Sequence, residues 1–152
     1  MALSTVQLES LLRRNPITKR YFIGVYPSCI YPRSRKKTYC FITNTDDHEE
    51  GGEHWNGFFV RDKTLYFFDS FGRSPNDDTL PHSYRDIVLR FKNVKYFPHC
   101  LQSFDSFTCG YYCIHFLLLF SMGLDFQSLM NEYSFDTQGN DLHVLNVIKS
   151  II

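Results

Sequence analysis

The segment QSFDSFTCGYYCIHFLLLF, residues 102–120, contains two side chains suited to acyl-transfer chemistry. Gln102 stands seven positions before Cys109, and Cys109 opens an almost wholly apolar run. Residues typical of helix caps precede Cys109, so it is predicted in the first turn of a buried helix. The helix dipole and the backbone N–H groups at that end favour the thiolate, which is the nucleophilic form of cysteine.

A plainer interpretation of the same pattern stays open, because most cysteines on apolar helices are structural. Cys113, one turn further along, is expected to be an inert core residue. If Cys109 attacks a carbonyl, the side-chain amide of Gln102 and the backbone N–H of Cys109 are suited to bind the oxyanion that forms. This role of Gln102 depends on that of Cys109, since a glutamine at a strand end is ordinarily polar surface.

A β-hairpin is predicted from WNGFFV and LYFFDSF, with a turn centred on Asp62 and Lys63. That register sets His54 opposite position 71 and leaves Asp69 two residues away, within diagonal reach across the two strands. An aspartate that accepts a hydrogen bond from one imidazole nitrogen fixes the tautomer and leaves the other nitrogen as a base. The hairpin alone leaves open whether His54 is instead an exposed residue near an unrelated carboxylate.

A zinc site is the other chemistry that the cysteine and histidine content suggests. Two cysteines four positions apart on one helix, without a second Cys-x2-Cys pair, are weak spacing for zinc. His48 and His54 do not form an HExxH arrangement. The sequence therefore predicts no metal site among the nearby candidates His99, Cys100, Cys109, Cys113 and His115.

The composition fits one folded domain over residues 1–152, with 43% hydrophobic residues and a formal net charge of zero. A neutral total gives no reason to expect non-specific nucleic-acid binding. One basic run is predicted to be a solvated loop, with a DNA or anion contact as the alternative: Arg33, Arg35, Lys36 and Lys37. The five cysteines suggest no disulfide framework, no signal peptide is recognised and no apolar run is long enough for a bilayer, so an intracellular location is predicted.

The elements that must position these residues form an α+β fold, with helices flanking a central, mostly antiparallel or mixed sheet. Ser4 and Gln7 predict a capping box for a first helix that ends at Asn15-Pro16, with a stripe of Val6, Leu8, Leu11 and Leu12. The other predicted helices are SYRDIVLRFKN, residues 109–122, DFQSLMNEY and DLHVLNVIKSII, the last with Asn140 or Asp141 as N-cap. The other predicted strands lie in YFIGVYP, TYCFITNT and VKYFPHCLQ, with Pro98 marking an edge or an ending, and DDHEEGGEH is predicted as a polar loop.

The order of these features resembles the adenovirus-type cysteine proteases of the adenain family. More distantly, it resembles the proteases that process ubiquitin-like proteins and share that fold. The matching stretches cover most of the chain: YFIGVYPSCIYP, CFITNTDDHEEGGEHW, LYFFDSFG and QSFDSFTCGYYC. The resemblance implies an adenain-like cysteine protease fold with the nucleophile at the N-terminus of a buried helix.

The resemblance also implies a role for each matched residue. Cys109 would be the nucleophile, His54 the general base and Asp69 the residue that orients it, at a position where the adenovirus enzymes typically have Glu. Gln102 and the amide of Cys109 would form the oxyanion hole. The remaining implied residues line a narrow substrate cleft that favours cleavage after glycine: Trp55 and Gly110.

The function implied is that of a cysteine endopeptidase that matures viral capsid or core precursors, as a monomer, in the host nucleus and the virion. No cofactor is expected for the chemistry, but the family implies an activating peptide and viral DNA as activators. The family's peptide-linked cysteine would fall near Phe91, where no cysteine stands, and the chain ends earlier than the adenovirus enzymes. A relative from another DNA virus or a virus-like transposon is therefore expected. The alternatives are a protease that deconjugates ubiquitin-like proteins, a catalytically silent binding module and a plain structural protein.

Overall fold

The predicted hairpin is the centre of a five-stranded sheet in the computed structural model, which describes residues 2–45 and 54–152. The strands are β1 (Phe22–Pro27), β2 (Thr38–Asn44), β3 (Trp55–Arg61), β4 (Thr64–Phe68) and β5 (Asn93–Tyr96), and they lie side by side in chain order. The two central pairs are antiparallel, whereas β1–β2 and β4–β5 are parallel. The sheet is therefore mixed, and the predicted α+β class is confirmed. Most of the predicted polar loop, residues 46–53, lies outside the described residues.

The helices are α1 (Thr5–Arg14), α2 (Ser83–Val88), α3 (Cys109–Ser121), α4 (Phe126–Asn131) and α5 (Thr137–Ile151), with a short 3-10 helix at Thr18–Arg20. The capping box of Ser4 and Gln7 is present at α1, and Asn15 ends that helix. Leu8 and Leu12 are buried on α1, but Val6 is exposed, so the predicted apolar stripe was one residue too wide. No helix in the described part of the chain is long and apolar enough to cross a membrane.

The sheet separates two hydrophobic cores, because successive side chains of a strand point to opposite faces. One core packs α2 against the sheet and contains Tyr39, Phe41, Phe58, Val60, Leu65, Phe67, Tyr84 and Ile87. The other packs α3 and its neighbouring helices against the opposite face and includes Cys40, Ile42, Phe59, Phe68, Cys113 and Phe116. Helix α3 is buried along nearly its whole length, as its apolar sequence predicted.

A glycine in β3 allows α3 to lie close to the sheet. A Cβ atom at Gly57 would stand 2.8 Å from Cδ2 of Phe116, which is closer than two carbon atoms can pack. The absence of a side chain at this position therefore brings the helix that begins with Cys109 directly onto the strand that follows His54.

Two helix boundaries differ from the sequence-based prediction by four residues or more. Helix α2 ends at Val88, several residues early, because the chain must turn there to enter β5 at Asn93. Helix α5 begins at Thr137 with Asp136 at the cap position, so the prediction of Asn140 or Asp141 as N-cap was wrong. Both of those residues are buried inside the helix, where their side chains bind other segments.

Candidate active site

The register of the central hairpin brings His54 and Asp69 together. Gly57 pairs with Phe68 and Arg61 with Thr64, around a two-residue turn in which Asp62 and Lys63 both have positive φ. Extending that register sets His54 opposite Phe71, and their rings stack with centroids 5.2 Å apart. Nε2 of His54 lies 2.6 Å from Oδ1 of Asp69, so the diagonal pair expected from the sequence is formed.

Asp69 is fully buried and receives further hydrogen bonds from two residues that the sequence did not indicate. The amide Nδ2 of Asn56 donates to Oδ1 at 2.9 Å. Arg73 donates from its backbone N–H and from Nε to Oδ2, and from Nη2 to Oδ1. Asn56 could have been found by strand alternation, since it stands two residues after His54 on the same face. Arg73 could not, because its contact depends on the sharp turn at Gly72, where φ is +77°.

These contacts shift the protonation of both members of the pair. Burial disfavours the charged form of Asp69, yet the hydrogen bonds and positive charges of His54 and Arg73 hold its pKa well below the ordinary value. Burial alone would lower the pKa of His54, but hydrogen bonds with Asp69 and Cys109 and the negative charges of both raise it to about 9. The geometry therefore favours an imidazolium at neutral pH.

Cys109 is the first residue of α3 and a hydrogen-bond partner of His54. Because Asp69 contacts Nε2, the other ring nitrogen, Nδ1, is left to face the thiol. Cys113 is in a different situation one turn deeper. It is fully buried, its Sγ donates to the backbone oxygen of Trp55 at 3.3 Å, and burial raises its pKa well above the ordinary value. The cysteine one turn deeper is thus a core residue, as expected.

Gln102 is buried with its amide held in one orientation. Ser70 Oγ donates to Oε1 at 2.5 Å, and Nε2 donates to the backbone oxygen of Ser106 at 3.0 Å. A carbonyl oxygen can only accept, so the NH₂ group must lie at the Ser106 end. That group carries two N–H bonds and keeps one for a further acceptor. Ser70 directly follows Asp69, so adjacent residues position Gln102 and His54.

The loop between Gln102 and Cys109 is fixed by a buried carboxylate on α5. Asp141 accepts hydrogen bonds from both the backbone N–H and the hydroxyl of Ser103, from Thr108 Oγ1 at 3.0 Å and from Tyr112 Oη at 2.7 Å. Asn140 adds a bond from Nδ2 to the backbone oxygen of Leu101. These two residues were expected to cap the helix, and they instead hold the segment that carries the candidate site.

Trp55 and Gly110 are both buried against the N-terminal segment. Trp55 is 1% exposed, and its indole N–H donates to the backbone oxygen of Leu3 at 3.1 Å. A Cβ atom at Gly110 would stand 3.2 Å from Cδ1 of Trp55 and 3.3 Å from Cβ of Leu3. Their role in lining a substrate cleft stays a prediction from the resemblance. The contact of both residues with Leu3 was not indicated by the sequence.

Lys36 and Lys37, the last residues of the basic run, lie beside Asp62 and Lys63 at the end of the sheet away from Cys109. Thr38 pairs with Arg61 at the turn end of the hairpin, whereas Asn44 pairs with Trp55 next to His54. The four basic residues just before β2 are exposed: Arg33, Arg35, Lys36 and Lys37. They are solvated, as predicted, and an anion bound to them would not touch the candidate site.

Comparison with known proteins gives matches in both sequence and fold. No family model matches the chain. It is 33% identical over 118 aligned positions to the protease of human adenovirus B serotype 3, covering 66% of this chain and 54% of that protein. It is 36% identical over 97 positions to the protease of human adenovirus D serotype 17, covering 55% of this chain and 46% of that protein. The chain thus spans about half the length of these curated relatives.

Among solved structures, the chain resembles the crystal structure of the ASFV pS273R protease. The TM-score is 0.61 at 15% sequence identity, and the match covers 94% of this chain and 66% of that one. At this level of identity the likeness concerns the fold, which is the adenain-like fold predicted from the sequence. The resemblance is therefore confirmed: the chain is related in sequence to the adenovirus proteases and has their type of fold.

Proposed function

We propose that the chain is a cysteine endopeptidase in which Cys109 is the nucleophile, His54 the acid and base, and Asp69 the orienting carboxylate. The observation that carries the proposal is the continuous series of contacts from Asp69 through His54 to Cys109 at a helix N-terminus. Chance burial of a histidine would not also supply a carboxylate on one ring nitrogen and a thiol on the other. The viral proteases among the sequence relatives support the same reaction class.

In the proposed reaction the Cys109 thiolate attacks the carbonyl carbon of a peptide bond. The carbonyl electron pair moves onto oxygen, where the backbone N–H of Cys109 and the remaining N–H of Gln102 donate to it. The intermediate collapses, the C–N bond breaks, and the leaving amine takes the proton of His54. Water then attacks the thioester while His54 accepts a proton, and the thiolate leaves as the acid is released.

The first test is the alkylation of each cysteine by iodoacetamide as a function of pH, mapped by mass spectrometry. Fast labelling of Cys109 well below pH 8 that is lost in His54→Ala is the expected result, because the imidazolium stabilises the thiolate. Cys113 should stay unlabelled in the folded chain. Equal, slow labelling of Cys109 in the wild type and in His54→Ala would contradict the proposed ion pair.

Turnover supplies the second test, with a matched pair of variants on one helix. Cys109→Ala should abolish peptidase activity while the fold is retained, and Cys113→Ala should keep the activity. The Cys113 change should only lower the free energy of unfolding, by about 1 kcal/mol, through a small cavity. Activity that survives in Cys109→Ala would overturn the assignment of the nucleophile.

The substrates we propose are precursor proteins of a virion, because the named relatives are adenovirus proteases. Cleavage after glycine stays a prediction from the resemblance. Assays that compare peptides from virion precursors with fusions to ubiquitin-like proteins separate this proposal from a deconjugating protease. The same assays with added DNA and virion peptides test activation. DNA bound at Lys36 and Lys37 would have to act through the strands, because these residues lie beside the hairpin turn at the far end of the sheet.

A further inference from the structure

Two aromatic rings, Phe71 and Phe104, lead outward from His54 in the candidate site. Phe71 stacks on the imidazole of His54, and Phe104 stacks on Phe71 with centroids 5.7 Å apart. Phe104 is 91% exposed, and Phe107 on the same loop is 67% exposed. Large apolar side chains that stay exposed beside a reactive group mark an interaction surface more often than a packing role.

The loop that carries these rings is anchored rather than loosely held. Its hydroxyl side chains turn inward, whereas Asp105 is exposed. Ser103 and Thr108 donate to Asp141, and the hydroxyl of Ser106 bonds to the Ser103 backbone oxygen and to Thr108 Oγ1. Between these anchored positions, Phe104 and Phe107 point to solvent. The fold therefore fixes the loop while leaving the two rings without a buried position.

The direction of the aromatic surface indicates which part of a substrate would reach it. In the proposed reaction His54 gives its proton to the leaving amine, so the residue after the scissile bond must lie on the imidazole side of Cys109. Phe71 and Phe104 extend from that imidazole. A polypeptide leaving the site in this direction passes along their rings.

We propose that Phe71, Phe104 and Phe107 form an aromatic surface that selects a large apolar side chain, such as Leu, Met or Phe, in the first two positions after the cleaved bond. This inference rests on the proposed function and adds a substrate preference to it. A second copy of the chain is a poorer occupant. The two exposed rings offer about 300 Å², whereas a stable dimer buries about 800 Å² on each partner.

The test is cleavage of a peptide library prepared from a digested proteome, followed by sequencing of the new N-termini. The wild-type chain is compared with Phe104→Ser, with Phe107→Ser and with the control Phe135→Ser, whose ring is 99% exposed on the α4–α5 connection. The wild type and the control should enrich large apolar residues in the first two positions after the cut. The two loop variants should lose that enrichment by about tenfold in kcat/KM, the size of a lost apolar contact.

Residue frequencies before the cut should not change, because the aromatic surface contacts only the part of the substrate that follows the scissile bond. Cleavage without apolar enrichment in the wild type, or enrichment that persists in both loop variants, would overturn this inference and leave the proposed protease intact. If the wild type cleaves nothing while the Cys109 thiolate alkylates slowly at every pH, the proposed function fails, and the inference fails with it.

Discussion

Two buried aspartates hold the candidate site, and they differ in the charge of their partners. Asp69 accepts hydrogen bonds from the cationic side chains of His54 and Arg73 as well as from Asn56. Asp141 accepts only from neutral donors in the described structure, namely the hydroxyls and backbone of the loop and Tyr112. A carboxylate among cations changes where protons reside, whereas one among neutral donors fixes the position of a backbone segment.

Among changes to the two aspartates and their partners, replacing Asp69 by Asn should have the largest effect on activity. An amide can present its NH₂ to Nε2 of His54, which favours the wrong tautomer and removes the negative charge that stabilises the imidazolium. We expect turnover of a fluorogenic peptide to fall on the order of 10³-fold to 10⁴-fold. A variant that turns over within about threefold of the wild type would show that the contact at 2.6 Å has no part in the reaction.

The pH dependence of turnover should be the next largest difference between variants of Asp69 and variants of Asp141. The pKa of His54 is raised from 6.5 to about 9, so its proton is present at neutral pH and is lost as the pH rises through 9. The wild type should therefore lose activity above about pH 9. Residual activity of Asp69→Asn should be lost at a lower pH, while Asp141→Asn should lose activity at the same pH as the wild type. Loss of activity at the same pH in all three proteins would contradict the assignment of Asp69 as the partner of His54.

The same shift predicts how stability varies with pH. Because the folded pKa of His54 lies above its unfolded value, its contribution to stability is complete below pH 6.5 and is lost as the pH rises through 9. The free energy of unfolding, measured with urea, should fall less between pH 6 and pH 10 for His54→Gln than for the wild type. An equal loss in both proteins would mean that other groups dominate this range.

Replacing Asp141 by Asn should lower stability more than activity. Asn keeps one acceptor oxygen, so the donors on one side of the carboxylate, either those of Ser103 or those of Thr108 and Tyr112, lose their acceptor or must turn to accept from the NH₂ group. We expect the free energy of unfolding to fall by about 1–3 kcal/mol, measured by urea denaturation, with less than a tenfold change in kcat. A loss of activity as large as that of Asp69→Asn would mean that the loop anchor is part of the chemistry.

The smallest effect should come from Ser103→Ala, which removes one neutral donor from Asp141 and keeps the others. The free energy of unfolding should fall by about 1 kcal/mol, with kcat/KM close to the wild-type value. A larger loss than that of Asp141→Asn would show that the serine hydroxyl has a role beyond this hydrogen bond.

The sequence predicted the parts of the site that depend on residue spacing within a single hairpin or helix. The two-residue turn fixed the register of His54 against Asp69, and the cap-forming residues before an apolar run located Cys109 at a helix start. Arg73 and Asp141 were missed because their contacts depend on how the chain folds back in three dimensions. The contact of Trp55 with Leu3 was missed for the same reason, since the two residues are 52 positions apart in the sequence.

The number of residues between the hairpin turn and each member of the His54–Asp69 pair determines whether the two side chains meet. One residue inserted into β3 would shift His54 by one step against Asp69 and turn its ring to the opposite face of the sheet. The turn itself lies about 25 Å from His54, at roughly 3.3 Å for each residue of the strand, and extra residues there can form a longer loop without changing the pairing. A peptide tag or reporter therefore belongs at the tip formed by Asp62 and Lys63, and the strands on either side must keep their lengths.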